Sequence, residues 1–260
     1  MKYYVVDAFA EEVFEGNPAG VCVMDDWLAD DLMQKIAIEN NLSETAFAVK
    51  EGEGYRLRWF TPGGEIDLCG HATLATAFVI MNFIEAERTL VTFETNSGPL
   101  KVERDGPLYE LDFPVATSEE IEVPDELVEA LGIEPVEVFL NRDLLVVLES
   151  EEAVRALKPD VQKLLEIEAG LGVVVTAKST EYDFVSRAFF PKLKVDEDPV
   201  TGSAHCALVP FWAERLKKEA LIARQVSARG GTLHCNLDGE RVKMAGKAAL
   251  YLTGDLHLPK

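Results

Sequence analysis

The sequence predicts an α+β fold built as two related halves, on three observations. Short β-rich runs outnumber helices along the whole chain, a motif near residue 70 returns near residue 202, and no regular βαβ alternation can be traced. Tyr3 to Val6 and Ala19 to Met24 read as buried strands, with the turn signal Gly16-Asn17-Pro18 between them. Over Trp27 to Asn40, Leu28, Leu32 and Ile36 recur every fourth residue opposite Asp30, Asp31, Gln34 and Lys35. That is an amphipathic helix, which Asp25 or Asp26 can cap. The chain re-enters a strand over Thr45 to Val49, which puts Glu44 at a loop-to-strand junction, a position suited to chemistry. Tyr55 to Phe60, Thr89 to Thr95 and Tyr109 to Phe113 are β-rich. Between the first two of these, Ala72 to Phe83 is apolar nearly all round, so a helix there is expected to be buried on every side.

Pro114 to Pro124 is polar and Pro-flanked and reads as a linker. The expected domains are therefore 1–115 and 116–247, with a tail of about 248–260 returning to the first. Pro124 sits at the expected first position of a short helix that Gly132 ends. Strands follow at Glu137 to Leu140 and Leu144 to Glu149, then helices around Glu151 to Leu157 and Pro159 to Glu168. Strands return at Gly172 to Thr176 and Asp183 to Phe190.

Composition narrows the function classes. With 25 basic against 46 acidic residues the formal net charge is −21, which disfavours a nucleic-acid backbone or an anionic membrane surface as partner. No apolar run approaches the roughly 18 residues of a membrane span, and the N-terminus has no signal-peptide layout, so a cytoplasmic protein is expected. Four scattered cysteines, without a C-x-x-C pair, read as reduced thiols. Neither G-x-G-x-x-G nor a Walker A sequence occurs, which leaves nucleotide cofactors without a motif.

The repeat locates a site. Cys69-Gly70-His71-Ala72-Thr73-Leu74-Ala75 lies over Thr201-Gly202-Ser203-Ala204-His205-Cys206-Ala207, with Gly70 and Gly202 standing 132 positions apart. If the halves are duplicated, the helix starts at Gly70-His71 and Gly202-Ser203 are related by a pseudo-twofold axis that brings them to one cleft. Helix N-termini carry unpaired N–H groups and partial positive charge, so a small carboxylate is the natural ligand, bound without any arginine.

Four segments in order, Asn17-Pro18-Ala19-Gly20-Val21, Leu42-Ser43-Glu44-Thr45-Ala46-Phe47, Leu68-Cys69-Gly70-His71-Ala72-Thr73 and Glu197-Asp198-Pro199-Val200-Thr201-Gly202-Ser203-Ala204, resemble the phenazine-biosynthesis PhzF-like family. The resemblance implies the diaminopimelate-epimerase fold: two pseudo-symmetric domains, each a β-barrel around a central helix, with a homodimer common. It also implies an isomerase that shuttles a proton without metal or organic cofactor, its best-known member acting on trans-2,3-dihydro-3-hydroxyanthranilate. By motif, the catalytic residues fall on Glu44, His71 and Asp198.

Moving a proton between carbons needs a base poised near neutrality, and a partly desolvated carboxylate such as Glu44 suits that task. A helix N-terminus disfavours imidazolium, so His71 is expected to be neutral and to orient substrate or relay the proton. Asp198 is assigned to a substrate amine or hydroxyl. Gly70, Thr201, Gly202 and Ser203 are expected to bind substrate, with Asn17 reaching the cleft from its loop. Two-base racemases of this fold class resemble a pair of cysteines at the helix starts, but the second position here is Thr201, which has no thiolate to offer. Cys69 is accordingly read as a small packing residue. His205 with Cys206 and His234 with Cys235 are neighbours in sequence that rarely point at one ion, so no metal is expected. The competing readings are an amino-acid racemase or epimerase using Cys69 and a non-catalytic small-carboxylate binding protein.

Overall fold

A computed structural model describes residues 1–258. The fold is α+β, with eighteen strands and six α-helices among the described residues. The first stretch carries β1 (Lys2–Ala8), β2 (Asn17–Met24), α1 (Asp30–Asn40), β3 (Glu44–Glu51), β4 (Gly54–Thr61), β5 (Gly64–Ile66), α2 (Gly70–Val79), β6 (Leu90–Thr95), β7 (Gly98–Asp105) and β8 (Leu108–Pro114). The next carries β9 (Glu119–Ile121), α3 (Asp125–Leu131), β10 (Glu137–Leu140), β11 (Leu144–Val147), α4 (Glu151–Ala156), α5 (Val161–Glu166), β12 (Val173–Lys178), β13 (Phe184–Phe190) and β14 (Val195–Asp198). After it come α6 (Gly202–Leu216), β15 (Ala220–Gln225), β16 (Gly231–Asp238), β17 (Arg241–Gly246) and β18 (Ala248–Asp255). Contacts divide the chain into two compact units: Met1–Asp112 with the segment from Met244 onward, and Phe113–Lys243.

In the first unit β1 pairs antiparallel with β2 and β18, and β2 runs parallel to β3 with Ala19 opposite Glu44. β3 continues antiparallel to β4, which runs parallel to β6. Helix α1 packs Met33, Ile36 and Ala37 onto Tyr3, Val5, Cys22, Met24, Phe47, Val49 and Phe60. The alternate residues Ala19, Val21, Ala46 and Ala48 are buried as well. Covered on both faces, these strands show continuous apolar runs rather than alternation. Helix α2 lies against β1, β2, β3, β7 and β18. It is buried nearly all round to Met81, then leaves α geometry in a π-helical turn, Ile80–Ile84, whose last residues Phe83 and Ile84 are exposed. The expected uniformly buried segment thus holds for its first two and a half turns, and the wider π turn rotates the remainder outward.

In the second unit β10 pairs antiparallel with β9 and β11, β11 runs parallel to β12, and β13 runs antiparallel to β12 and β14 and parallel to β15. Leu127, Val138, Val146, Val154, Leu164, Val175 and Phe189 share one core. Trp212 of α6 stacks on Phe184 at 5.8 Å and donates its indole N–H to Thr176 Oγ1 at 2.9 Å, as a buried tryptophan must. The polar stretch read as a linker is ordered within this unit: Glu119–Ile121 pairs with β10, and Val115 N–H donates to Glu240 O. Pro210 lies inside α6, where it has no N–H for the Cys206 carbonyl four residues back. Ala116 N–H takes that place, donating to Cys206 O at 3.0 Å.

Local starts and stops differ from the expected ones by a few residues. Helix α1 begins at Asp30 after Ala29, with Asp30 and Asp31 supplying the first-turn negative charge, so neither Asp25 nor Asp26 caps it. Pro124 is the N-cap of α3 rather than its first helical residue, and Gly132 ends the helix in the left-handed conformation as expected.

Candidate active site

Glu44 is placed by a reversal of the chain. Helix α1 stops at Asn41, left-handed at φ 49°, whose N–H returns to Ala37 O, and three residues later Glu44 opens β3 beside Ala19. His71 is the second residue of α2, and Cys69 is its N-cap, in extended backbone. His71 Nε2 lies 2.9 Å from Glu44 Oε2, and Cys69 Sγ lies 3.6 Å from His71 Nδ1. The His71 and Glu44 side chains are only 8% and 15% exposed, so water screens the pair little. Although 2.9 Å apart as an ion pair, Oε2 lacks aligned hydrogen-bond geometry. The carboxylate is therefore held close without a fully formed bond.

Electrostatics here overturn one expectation. Burial opposes a charge on His71, but the Cys69 sulfur and the Glu44 carboxylate outweigh it and raise the imidazole well above the ordinary histidine range. The neighbouring negative charge, not the helix dipole, dominates at His71, and the expected neutral ring is corrected to one that favours its protonated form. Cys69 is buried, as a packing residue would be. Its sulfur packs against the imidazole, and burial, together with the negative charge of Glu44, pushes its thiol up.

Asn17, Gly70, Glu44 and His71 all belong to the first unit. Asn17 opens β2 opposite Ala8 instead of sitting in a loop, and it is fully buried. It lies two residues before Ala19, the strand partner of Glu44, and so faces the same side of β2 as Ala19. The turn itself falls at Gly16, where φ is +65° and a Cβ would come 2.2 Å from Ala8 O. Only glycine fits there.

Asp198, Thr201, Gly202 and Ser203 come together in the second unit at the start of α6. Asp198 ends β14 and accepts the Thr201 hydroxyl proton through Oδ2. Gln225, fully buried in β15, locks this loop three ways. Its Oε1 accepts from Thr201 N–H at 2.9 Å, and its Nε2 donates to Asp198 O at 2.7 Å and to Thr201 Oγ1 at 3.2 Å. Gly202 has open space beside its Cα, and Ser203 is exposed. Arg142, itself bonded to the Asp143 carboxylate, donates to Ser203 Oγ at 3.1 Å. An arginine therefore does stand at this helix start, contrary to the arginine-free anion site expected from the repeat.

The repeat extends to a bond no sequence pattern specified. In α2 Thr73 Oγ1 donates to the N-cap carbonyl of Cys69, and in α6 His205 Nδ1 meets the N-cap carbonyl of Thr201 at 2.8 Å. Since that carbonyl only accepts, Nδ1 carries the proton. Gln225 and Arg142 were missed because each reaches the loop from a distant element, and neither sits in a local motif.

Comparison with known proteins agrees with this architecture. The family described as phenazine biosynthesis-like protein matches residues 6–254. A Pseudomonas aeruginosa protein named as an uncharacterized isomerase is 52% identical over 258 residues, 99% of either chain. A crystal structure of a PhzF-family phenazine biosynthesis protein from Enterococcus faecalis superposes with a TM-score of 0.97 at 53% identity, covering 99% of both chains. A probable proline racemase from Agrobacterium radiobacter, at 9% identity and TM-score 0.65 over 99% of this chain and 93% of its own, shares the fold.

Proposed function

We infer the reaction from a single premise, that the chain belongs to the phenazine biosynthesis-like family and is an isomerase. The reading is a cofactor-independent isomerase that moves a proton between carbons of a small carboxylate, resembling trans-2,3-dihydro-3-hydroxyanthranilate isomerase, with Glu44 as general acid and base. The observation that carries it is the 2.9 Å contact between Glu44 Oε2 and His71 Nε2 in a poorly hydrated setting. A carboxylate there takes a proton from a C–H and returns it at another carbon, while protonated His71 beside it stabilises the carboxylate form. Asp198 is proposed to bind a substrate amine or hydroxyl. The assignment of Gly70, Thr201, Gly202, Ser203 and Asn17 to the substrate rests on the repeat and the family motif. A homodimer and a cytoplasmic location belong to the same proposal. Among the described residues no helix is long and apolar enough to cross a membrane.

The experiment is solvent-deuterium incorporation into a substrate carboxylate. Glu44→Gln is expected to slow exchange by about 10²–10⁴, the ordinary worth of a general base, and unchanged exchange refutes the assignment. A second reading, an epimerase using Cys69, is favoured by the 3.6 Å approach of Sγ to His71 Nδ1. Against it, burial raises that thiol and so disfavours the thiolate a base requires. Full activity of Cys69→Ser sinks this second reading.

A further inference from the structure

We propose that Glu44, Cys69 and His71 form a binding site for a thiophilic divalent cation of the zinc type, and that cation binding and proton transfer exclude each other there. Carboxylate oxygen, cysteine sulfur and imidazole nitrogen are zinc's three customary donors, and three protein ligands leave one position open. Among the described residues this is the one group of three such side chains whose ligand atoms all lie within 4.8 Å of one another. Sγ stands 3.6 Å from Nδ1 and 4.0 Å from Nε2, and Nε2 stands 2.9 Å from Oε2. A tetrahedral zinc, with bonds of about 2.3 Å to sulfur and about 2.0 Å to nitrogen and oxygen, sets its donors roughly 3.3–3.6 Å apart. Ligation through Nε2 therefore draws Sγ in by about half an ångström from 4.0 Å, moves Oε2 out by about as much from 2.9 Å, and closes Sγ and Oε2, which lie within 4.8 Å of one another, to about 3.5 Å.

Charge and burial favour the same occupant. A thiolate and a carboxylate cancel a double positive charge, and a neutral assembly suits a place where Cys69 and His71 are 6% and 7% exposed. Binding forms one bond each to sulfur, nitrogen and oxygen. It releases to solvent the Cys69 thiol proton and the proton carried by the His71 imidazolium. The donors stand on the start of β3 and the start of α2, which are fixed by strand pairing and helix packing. The other histidine–cysteine neighbours, His205 with Cys206 and His234 with Cys235, belong to no such group of three among the described residues. The binding claim stands on the donor set, its spacing, charge and burial, whereas the exclusion claim rests on the proposed role of Glu44.

The test uses reduced, chelator-treated full-length protein titrated with ZnCl₂ against a chromophoric chelator, and with CoCl₂ followed by optical spectroscopy. One equivalent of Zn²⁺ is expected, and Co²⁺ is expected to give a thiolate-to-cobalt charge-transfer band. Cys69→Ser should abolish the band and weaken Zn²⁺ by at least about tenfold, while Cys206→Ser keeps both. Absence of the band in the unmodified protein, or unchanged Zn²⁺ affinity in Cys69→Ser, overturns the site. Circular dichroism verifies that the variants fold, and His71→Asn provides a second ligand deletion. Deuterium exchange on the same samples separates the two claims. Zn²⁺ binding without exchange before or after chelation supports the site and refutes the isomerase reading. Exchange that persists at Zn²⁺ saturation overturns the exclusion.

Discussion

Replacing Gln225 by leucine removes a clamp without changing side-chain volume much. Gln225 is fully buried, and its amide satisfies Thr201 N–H, Asp198 C=O and Thr201 Oγ1 at once. Leucine leaves the buried Thr201 N–H without a partner, at about 1–3 kcal/mol, and the partly buried Asp198 carbonyl at a smaller cost. The added apolar burial offsets roughly 1 kcal/mol. The expected net destabilisation is about 1–2 kcal/mol, located in the second unit. Urea denaturation followed by Trp212 fluorescence, with Trp27 and Trp59 of the first unit changed to Phe, reads this unit alone. Gln225→Glu divides the effect, because it keeps the acceptor for Thr201 N–H and loses the donor to Asp198 O. A stability within about 0.5 kcal/mol of the parent for Gln225→Leu, the range of an ordinary surface change, refutes the clamp.

Two further outcomes follow from buried groups in the same unit. His205 is fully buried, and desolvation pushes its pKa down to about 4 from 6.5. Above pH 6.5 neither state binds the proton. Between pH 6.5 and 4 only the unfolded chain does, so folding loses up to about 3 kcal/mol across that window and no more below it. His205→Asn should flatten the slope of stability against pH in urea titrations between pH 7 and 4, and an unchanged slope defeats the assignment. At Gly172 an added Cβ would come 2.2 Å from the Phe190 ring and 2.8 Å from Phe189 O. Phe190 is itself buried, so Gly172→Ala should cost about 1–3 kcal/mol of overpacking. A urea midpoint equal to the parent's contradicts this.

What the sequence makes legible follows how local the physics is. Helix α2 declares itself through apolar residues on every side, and Glu44 through the Asn40-Asn41 break followed by a β run, because both depend on near neighbours. The π turn after Val79 has no such marker, and Asn17 looks like turn material although strand pairing with Ala8 decides its place. The dipole argument for a neutral His71 weighed the helix and left out Glu44, which is 27 positions away in the chain and 2.9 Å away in space. Gln225 and Arg142 lie beyond local reading for the same reason: their partners at Asp198, Thr201 and Ser203 are brought to them by strand order alone.

Pro210 makes the entry to the second unit part of its helix. By leaving the Cys206 carbonyl open, it ties Ala116, just inside the point where the chain enters this unit, to the body of α6. The Asp198–Thr201 loop hangs from a separate anchor at Gln225. Entry segment and loop are thus fastened by different hydrogen bonds, and a substitution that frees one leaves the other's bonds in place.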